Sequence, residues 1–453
     1  MKKALALMLA ALMVLAMFAG CSQKPAEPST PSTPSETPAE TPAETPAETP
    51  KEEYIIKYPT HQIGSNTSAP ANAEMVRTFN EKYAGTYKIE VEEVPGDQNY
   101  MDKMKTLLAS DALPDFVYGS GLTDLINARG LAMDLTPVLD ADPEWKALFP
   151  QTVLDYNSRD GKVLALPNEG QLVGYYYNTE LYAKAGIEGP AKTWDEFFEI
   201  CKKLKDAGIT PMSMQTGDNA FVSQLWLSEM IATHSDEGRA FMTSPTKTEN
   251  YEQACFIDSL NMLKRIWDEG YTTKDSIGGM YENAANNFIS GNTAMIANGT
   301  WMVSSFTDPA MGGSEEFLAK VDIALYPGDV YVANPFEGFL VCAQTEEGKE
   351  AGVTMLKHWT SAETMASNLK VAGLVPAGSI EIPQEVIDSN RLLGKMLELS
   401  NAEGAQQNYS LTNRMYPGVS DTWAQQLTLF ADGGTTAEDF AKVLTESAVK
   451  NKI

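Results

Sequence analysis

The chain has 453 residues and a formal net charge of −27. That length accommodates two or three lobes, each with a substantial apolar core. The acidic balance argues against nucleic acid, which needs basic surface to neutralise phosphate, and against charge-driven attachment to anionic membranes; it says nothing of which small ligand is bound, because net charge speaks to solubility and steering.

Lys2 and Lys3 precede an unbroken apolar run from Ala4 to Gly20. This reads as the charged and apolar parts of an export leader, too short and too sharply ended for a membrane span. The run closes on Phe18-Ala19-Gly20-Cys21, which resembles a bacterial lipobox. Phe18 departs from the usual aliphatic residue, while Ala19 and Gly20 fit. Residues 1–20 are therefore expected to be a lipoprotein signal peptide, with Cys21 the lipidated, mature N-terminus. Residues 21–53 repeat Thr-Pro-Ala-Glu. Proline stiffens such a segment and charge extends it, so it reads as a tether. The remaining Cys201, Cys255 and Cys342 are odd in number and set in apolar surroundings, so they are expected to be buried thiols, not a disulfide framework.

The body begins near Tyr54. "YIIKYP" predicts a strand, a helix containing Met75, Val76 and Phe79 follows, and "KIEVEEV" alternates as a second strand. "YMDKMKTLLAS" predicts another helix and "DFVYGSG" a third strand. This alternation predicts an α/β layer with a largely parallel sheet. In such sheets ligands lie beyond the carboxyl ends of the strands, which places Thr60, His61 and Gln62 at one candidate rim and Ser120, Gly121 and Asp124 at another. From Gly161 a strand, a break at Pro167 and a second strand lead to "TWDEFFEICKKLKDAGI", a helix with Thr193 as its cap and Gly208 as its stop. Longer helices are predicted at about 219–233 and 251–269. In "NNFISGNTAMIANGTW" a helix ends at Gly291 and a short apolar strand reaches Gly299, Thr300 and Trp301. On these residues alone Trp301 is either core filling or a platform for a ligand. A second α/β lobe and an almost wholly helical tail complete the chain.

Catalytic and metal motifs are scarce. His61, His234 and His358 lie far apart in sequence and no Cys-x-x-Cys occurs, so a metal site has little support and none is assigned. "EEGKEAG" lacks P-loop spacing, "GSGLTD" lacks the third glycine of a dinucleotide turn, and there is no Gly-x-Ser-x-Gly elbow. Carboxylates are plentiful, and a glycosidase pair stays open at this point. The tyrosines of "YYYN", Tyr175 to Tyr177, could in principle hold ferric iron, but side chains alternate along a strand and the three cannot face one site.

Three segments carry a family resemblance: "LALPNEGQLVGYYYNTELYAKAGIEGPAKTWDEFFEICKKLKDAGI", "FISGNTAMIANGTW", and "LVPAGS" with the tail "WAQQLTLFADGGTTAEDFAKVL". From about residue 54 to 449 the chain resembles the extracellular solute-binding proteins of ATP-binding-cassette importers, in the carbohydrate-binding group that includes maltose-binding protein. The resemblance implies a two-lobe, type II periplasmic-binding-protein-like α/β fold with a hinge. Its N-terminal lobe would hold 54–166 and 337–377, and its C-terminal lobe 167–336 and 378–453. It implies a non-enzymatic receptor without a cofactor: a monomer, lipid-anchored at the extracytoplasmic face of the cell membrane, passing a mono- or oligosaccharide to permease subunits whose ATPase resides on other chains. By the same resemblance Trp301 matches a sugar-stacking tryptophan and Trp423 a second platform. His61, Gln62, Ser120, Asn168, Glu169, Gln171, Gln215 and Asp218 match polar contact positions, and Arg414, with Tyr416, lies in a loop that could close over the site. An acidic–basic pair after the first strand is not evident, and Gly119 stands where maltose binders have an aromatic. Capture of a polyamine, a peptide or ferric iron, and less favourably a lipoprotein glycosidase, are the alternatives.

Overall fold

A computed structural model describes residues 52–452 apart from Ser65, Ser120, Pro245, Pro335 and Pro417. The leader, Cys21, most of the tether and Ser120 thus lie outside the described residues. Among the described residues, thirteen short strands and the helices between them build two sheet-centred halves.

In the first half, β1 (Tyr54–Thr60) and β2 (Tyr87–Glu93) pair in parallel. The helix Ala69–Lys82 connects them and buries Met75 and Phe79. Strand β3 (Phe116–Tyr118) belongs to a separate three-stranded sheet. The hairpin β4 (Ser158–Arg159) and β5 (Lys162–Val163) follows, then β6 (Ala165–Leu166). The core here is aromatic: Trp359 meets Tyr58, Phe116 and Phe79 edge-on at 5.8–6.2 Å, and Phe116 stacks on Phe339 at 5.1 Å. Such rings are held by their area and by the favoured edge-to-face geometry.

The second half is built on β7 (Val173–Asn178), β8 (Thr210–Met212), β9 (Thr293–Gly299), β10 (Val321–Ala324) and β11 (Val330–Val332). The chain then returns to the first half as β12 (Phe339–Val341), between β3 and β6, and back again to β13 (Gln406–Asn408) beside β11. Alternation along β7 splits the three tyrosines. Tyr175 and Tyr177 share one face, with rings 6.3 Å apart, and Tyr176 packs on Phe306 on the other. Thr193 caps its helix, accepting from the Glu196 amide at 3.2 Å, and Gly208 ends it at φ +75°. The helices predicted near 219–233 and 251–269 run over Phe221–His234 and Ala254–Asp268, with an unanticipated helix, Asp236–Thr243, between them. Cys201, Cys255 and Cys342 are buried free thiols.

The sheets are mixed, not largely parallel as the alternation predicts. Strands β1–β2, β8–β9 and β11–β13 pair in parallel, but β7 runs antiparallel to β9, β10 and β11, and β12 antiparallel to β3 and β6. A crossover helix returns the chain to the same edge and gives parallel neighbours. A strand leaving one half for the other runs against the strand by which the chain came in, and β6, β7, β11 and β12 are those strands.

Three segments therefore cross between the halves, and they are bonded together. The Gly170 amide donates to Val375 O at 2.8 Å, and the Gln171 amide to Asn334 O at 3.2 Å. Glu169 and Pro376 form an antiparallel bridge. Gly338 has no room for a side chain, since a Cβ there would lie 2.0 Å from the Leu166 carbonyl carbon.

One buried acid makes the second half sensitive to pH. Glu229 is fully buried, accepts from Asn408 Nδ2 at 2.8 Å, and leaves Oε1 without a partner. Burial pushes its carboxyl up to about 8, although Asn408 and Arg239 pull it down. The unfolded chain ionises this group at the ordinary carboxylate value while the folded chain keeps the proton. Its contribution is thus intact at acid pH and is lost as pH rises toward about 8. Glu229→Gln, an isostere of the protonated acid, is expected to raise the melting temperature by several degrees at pH 8.5 and to change it little at pH 4.5. Thermal denaturation at the two pH values checks this; an equal effect at both would contradict it.

Candidate functional site

Between the halves lies a cleft of about 1970 Å³. Glu169, Gln171 and Asn334, on the crossing segments, contribute to its lining. Asn334 Nδ2 donates to both Gln171 Oε1 and Ser410 Oγ, which fixes the amide plane of Gln171. Glu169 is 7% exposed, lines the cleft, and makes no side-chain hydrogen bond among the described residues. Burial raises its carboxyl to about 7, with His61 acting in the opposite direction.

The wall from the first half grows out of strand ends. Strand β1 stops at Thr60, whose hydroxyl accepts from the Gln62 amide at 3.1 Å, while Asn72 Nδ2 donates to Gln62 O at 3.1 Å. His61 and Gln62 are thereby set at the cleft. The His61 Nε2 lies 2.8 Å from Asp97 Oδ1, its ring is 5.2 Å from Tyr100 and 5.7 Å from Tyr118, and Nδ1 has no partner. Desolvation raises the Asp97 carboxyl, but the hydrogen bond and charge of His61 outweigh it and the net shift is downward. The Tyr118 phenol is raised far above its ordinary value by burial and then by Glu169, Asp97 and Glu337. Glu337 itself accepts from the Gly121 amide at 2.8 Å and the Thr123 hydroxyl at 3.0 Å, and so ties the β3 exit loop to the crossing segment before β12.

Trp301 stands on the opposite wall, in a 3-10 turn directly after β9. The Gly299 backbone is extended, at φ −93°, a conformation open to any residue. Glycine is required for a different reason from the tight turn that the sequence suggests: the indole folds across its Cα, and a Cβ would lie 2.2 Å from the ring. The Tyr176 hydroxyl donates to Gly299 O at 2.9 Å and holds this support in place. The indole is partly buried, with Phe221 6.2 Å away on one side and Ala71, Ala372 and Leu374 on another. Asp218 precedes Phe221 on a loop at φ +56°. Its carboxyl is raised by burial and then by the charges of Asp97 and Glu282. Tyr156, Tyr281, Tyr409 and Tyr416 add further rings to the cleft.

Of the residues singled out in the sequence, Trp301, His61, Gln62, Glu169, Gln171 and Asp218 come together at the cleft. Four others do not line it. Trp423 is fully buried and stacked on Phe440 at 5.3 Å, because its helix turns this face to the helix Ala437–Asn451. The Arg414 guanidinium lies 4.7 Å over Phe241 and donates to Ser244 Oγ at 2.9 Å, so it anchors a loop behind the wall. Gln215 is fully buried, its Nε2 donating to Gly217 O at 3.3 Å. Asn168 is buried with its amide 3.4 Å from the Met75 sulfur. Sequence reasoning passed over Asp97, Tyr118, Phe221 and Tyr281. Tyr118 borders the Gly119 position, and the Asp97–His61 pair is an acid–base contact after the first strand that spacing alone could not reveal.

The two walls also touch. Lys247 of the second half lies 3.0 Å from Asp124 of the first, which also pairs with Arg159. Lys105 lies 3.8 Å from Asp421, and the Tyr156 hydroxyl donates to Asn413 Oδ1 at 3.2 Å. Among the described residues, no helix is long and apolar enough to cross a membrane, and no group of three or more His, Cys, Asp or Glu is placed to hold a metal ion.

The contact between Gly299 and Trp301 predicts an energetic coupling. Gly299→Ala is expected to destabilise the chain by about 1–3 kcal/mol through overpacking, and most of that loss should vanish in a Trp301→Ala background. A double-mutant cycle in urea measures the coupling; additive losses would mean that the indole is free to move away.

A stretch of 103 residues is 30% identical to the sn-glycerol-3-phosphate-binding periplasmic protein UgpB of Rhizobium meliloti (strain 1021), covering 22% of this chain and 24% of that protein. The match thus spans about a quarter of that relative's length. In three dimensions the chain is similar to a chitin oligosaccharide binding protein, with a TM-score of 0.75 at 21% identity over 88% of this chain and 99% of that one. It is similar also to a Streptococcus pneumoniae solute-binding protein in complex with the blood group A-trisaccharide, with a TM-score of 0.73 at 18% identity over 88% and 100%. These likenesses identify the fold as the two-lobe, type II solute-binding fold. The family described as bacterial extracellular solute-binding protein matches residues 74–379, and the chain belongs to that family of binding proteins.

Proposed function

We propose that this extracellular solute-binding protein captures a carbohydrate between its two lobes and delivers it to the permease of an ATP-binding-cassette importer. The single observation that carries the reading is the Trp301 indole, braced by Gly299 and partly open to a cleft lined by further rings. A pyranose offers an apolar face of C–H groups to such a ring, while its hydroxyls need fixed donors and acceptors. Gln62, Gln171, Glu169 and the Tyr118 hydroxyl supply these at the cleft, and pairing them matters because an unmatched buried polar group costs about 1–3 kcal/mol. The oligosaccharides named for the two structural relatives agree with this reading.

The lobe boundaries we propose are 54–166 with 337–377 and 167–336 with 378–453, the bonded crossing segments acting as the hinge. Solute binds one wall and then gains contacts with the other, so it shifts the population toward the closed form. The lipobox-like Cys21 anchors the chain by lipid at the extracytoplasmic face of the membrane, and the Pro- and Glu-rich segment holds the lobes away from it. The chain works as a monomer and as a receptor, not an enzyme; the membrane-spanning and ATPase functions belong to partner chains.

Thermal-shift screening of the purified full chain against a panel of mono- and oligosaccharides tests the reading. At least one sugar is expected to raise the melting temperature, and Trp301→Ala is expected to abolish that rise while still unfolding cooperatively, at a lower unliganded melting temperature. Full retention of the rise in the variant would show that the indole is a bystander.

A further inference from the structure

The charge on the cleft walls is unevenly spent. Among the described residues, three lysine or arginine side chains line the cleft, and each already faces an acid: Lys105 faces Asp421, while Arg159 and Lys247 both face Asp124. Glu169, Asp218 and Glu282 also line it, and none of the three has an ion-pair partner among the described residues. Glu169 is the most telling of these. It is 7% exposed, sits on a crossing segment, and presents a carboxyl with no protein hydrogen bond; the nearest basic group acting on it, His61, is already paired with Asp97. A buried carboxyl left in this state is stabilised by whatever donor or cation enters beside it.

The acids also act on one another across the gap. Asp97 belongs to the first wall, on a helix packed through Tyr100 and Met104, and Asp218 to the second. Burial raises the Asp218 carboxyl first, and the charges of Asp97 and Glu282 add to that. Drawing the walls together without a counter-charge therefore increases like-charge repulsion. A solute bearing phosphate or carboxylate would add to it, and one bearing an ammonium would relieve it. The loop carrying Asp218 leads directly to Phe221, which is 6.2 Å from Trp301, so the uncompensated charge and the flat indole belong to one neighbourhood.

We propose that the solute carries protonated amines and, given the carbohydrate reading above on which this rests, that it is an amino sugar whose ring lies on Trp301 and whose ammonium groups answer the unpartnered acids of the cleft, Asp218 and Glu169 among them. The acidic wall then selects against anionic polyols such as glycerol 3-phosphate, the ligand named for the relative that matches about a quarter of its own length.

Isothermal titration of the full chain at pH 7.5 compares a β-1,4-linked glucosamine trimer, the matching neutral glucose trimer, glycerol 3-phosphate and spermidine. The glucosamine trimer is expected to bind at least about tenfold more tightly than the glucose trimer at low salt, and the margin is expected to shrink as sodium chloride is added. Asp218→Asn and Glu169→Gln, both near-isosteric, are each expected to reduce that ratio several-fold, with unliganded melting curves confirming that they fold. Equal or tighter binding of the glucose trimer would overturn the charge inference and leave the carbohydrate reading standing. Tighter binding of glycerol 3-phosphate than of either trimer would overturn both. Binding of spermidine with neither trimer would overturn the carbohydrate reading, and with it the amino sugar, while supporting the selection of an amine.

Discussion

The site depends on the way three crossing segments are tied to one another. Gly170 to Val375 and Gln171 to Asn334 are backbone hydrogen bonds between stretches remote in sequence, and Gly338 lets a further stretch approach Leu166 without a side chain between them. These contacts satisfy backbone groups that would otherwise be buried unpaired. They also fix where the two cores meet. Because Glu169 and Gln171 belong to the same tied segments, any rotation of one core against the other pivots close to the polar groups that would meet a solute. With the crossing segments as the proposed hinge, the hinge and the base of the site are one structure.

Against that base, the tryptophans show how one residue type takes opposite roles. Trp423 and Trp226 are fully buried among rings. Trp301 follows a strand end and folds back over a glycine, so one part of its surface is braced while another lines the cleft. The bracing is layered: β7 carries Tyr176, whose hydroxyl holds the Gly299 carbonyl, and Gly299 supports the indole. Orientation of a stacking ring before the solute arrives lowers the ordering cost of binding.

The sequence disclosed the periodic elements and their ends well. Thr193 and Gly208 bound their helix as expected, and the alternation along Tyr175 to Tyr177 was enough to separate those rings onto two faces. Strand direction was less legible, because it is set by which half the chain is coming from, a property no local window contains. The site divided in the same way. His61 and Gln62 follow a strand end and could be placed by that rule alone. Trp423 and Arg414 lie in segments with the right composition, but which side of a helix or loop faces the cleft depends on its packing partner, here Phe440 for one and Phe241 for the other. Asp97 was passed over because its significance lies in its distance to His61, 36 positions earlier in the chain but 2.8 Å away in space.

The contacts between the walls show why a solute would be needed to keep the lobes together. Lys247 with Asp124, Lys105 with Asp421 and Tyr156 with Asn413 all favour approach of the halves. The Lys105–Asp421 pair is open to solvent and contributes about 0–1 kcal/mol, the Lys247–Asp124 pair is more enclosed, and the carboxylates of Asp97, Asp218 and Glu282 work against both. The protein's own terms across the gap thus oppose one another. A ligand then decides the balance through the interactions it makes with both walls at once, and only the excess of those over its one-wall contacts counts. In the function proposed above, stacking on Trp301 is available from one wall. The further stabilisation must come from groups on the other wall and on the crossing segments, which is why the unpartnered carboxyl of Glu169 bears on closure as much as on affinity.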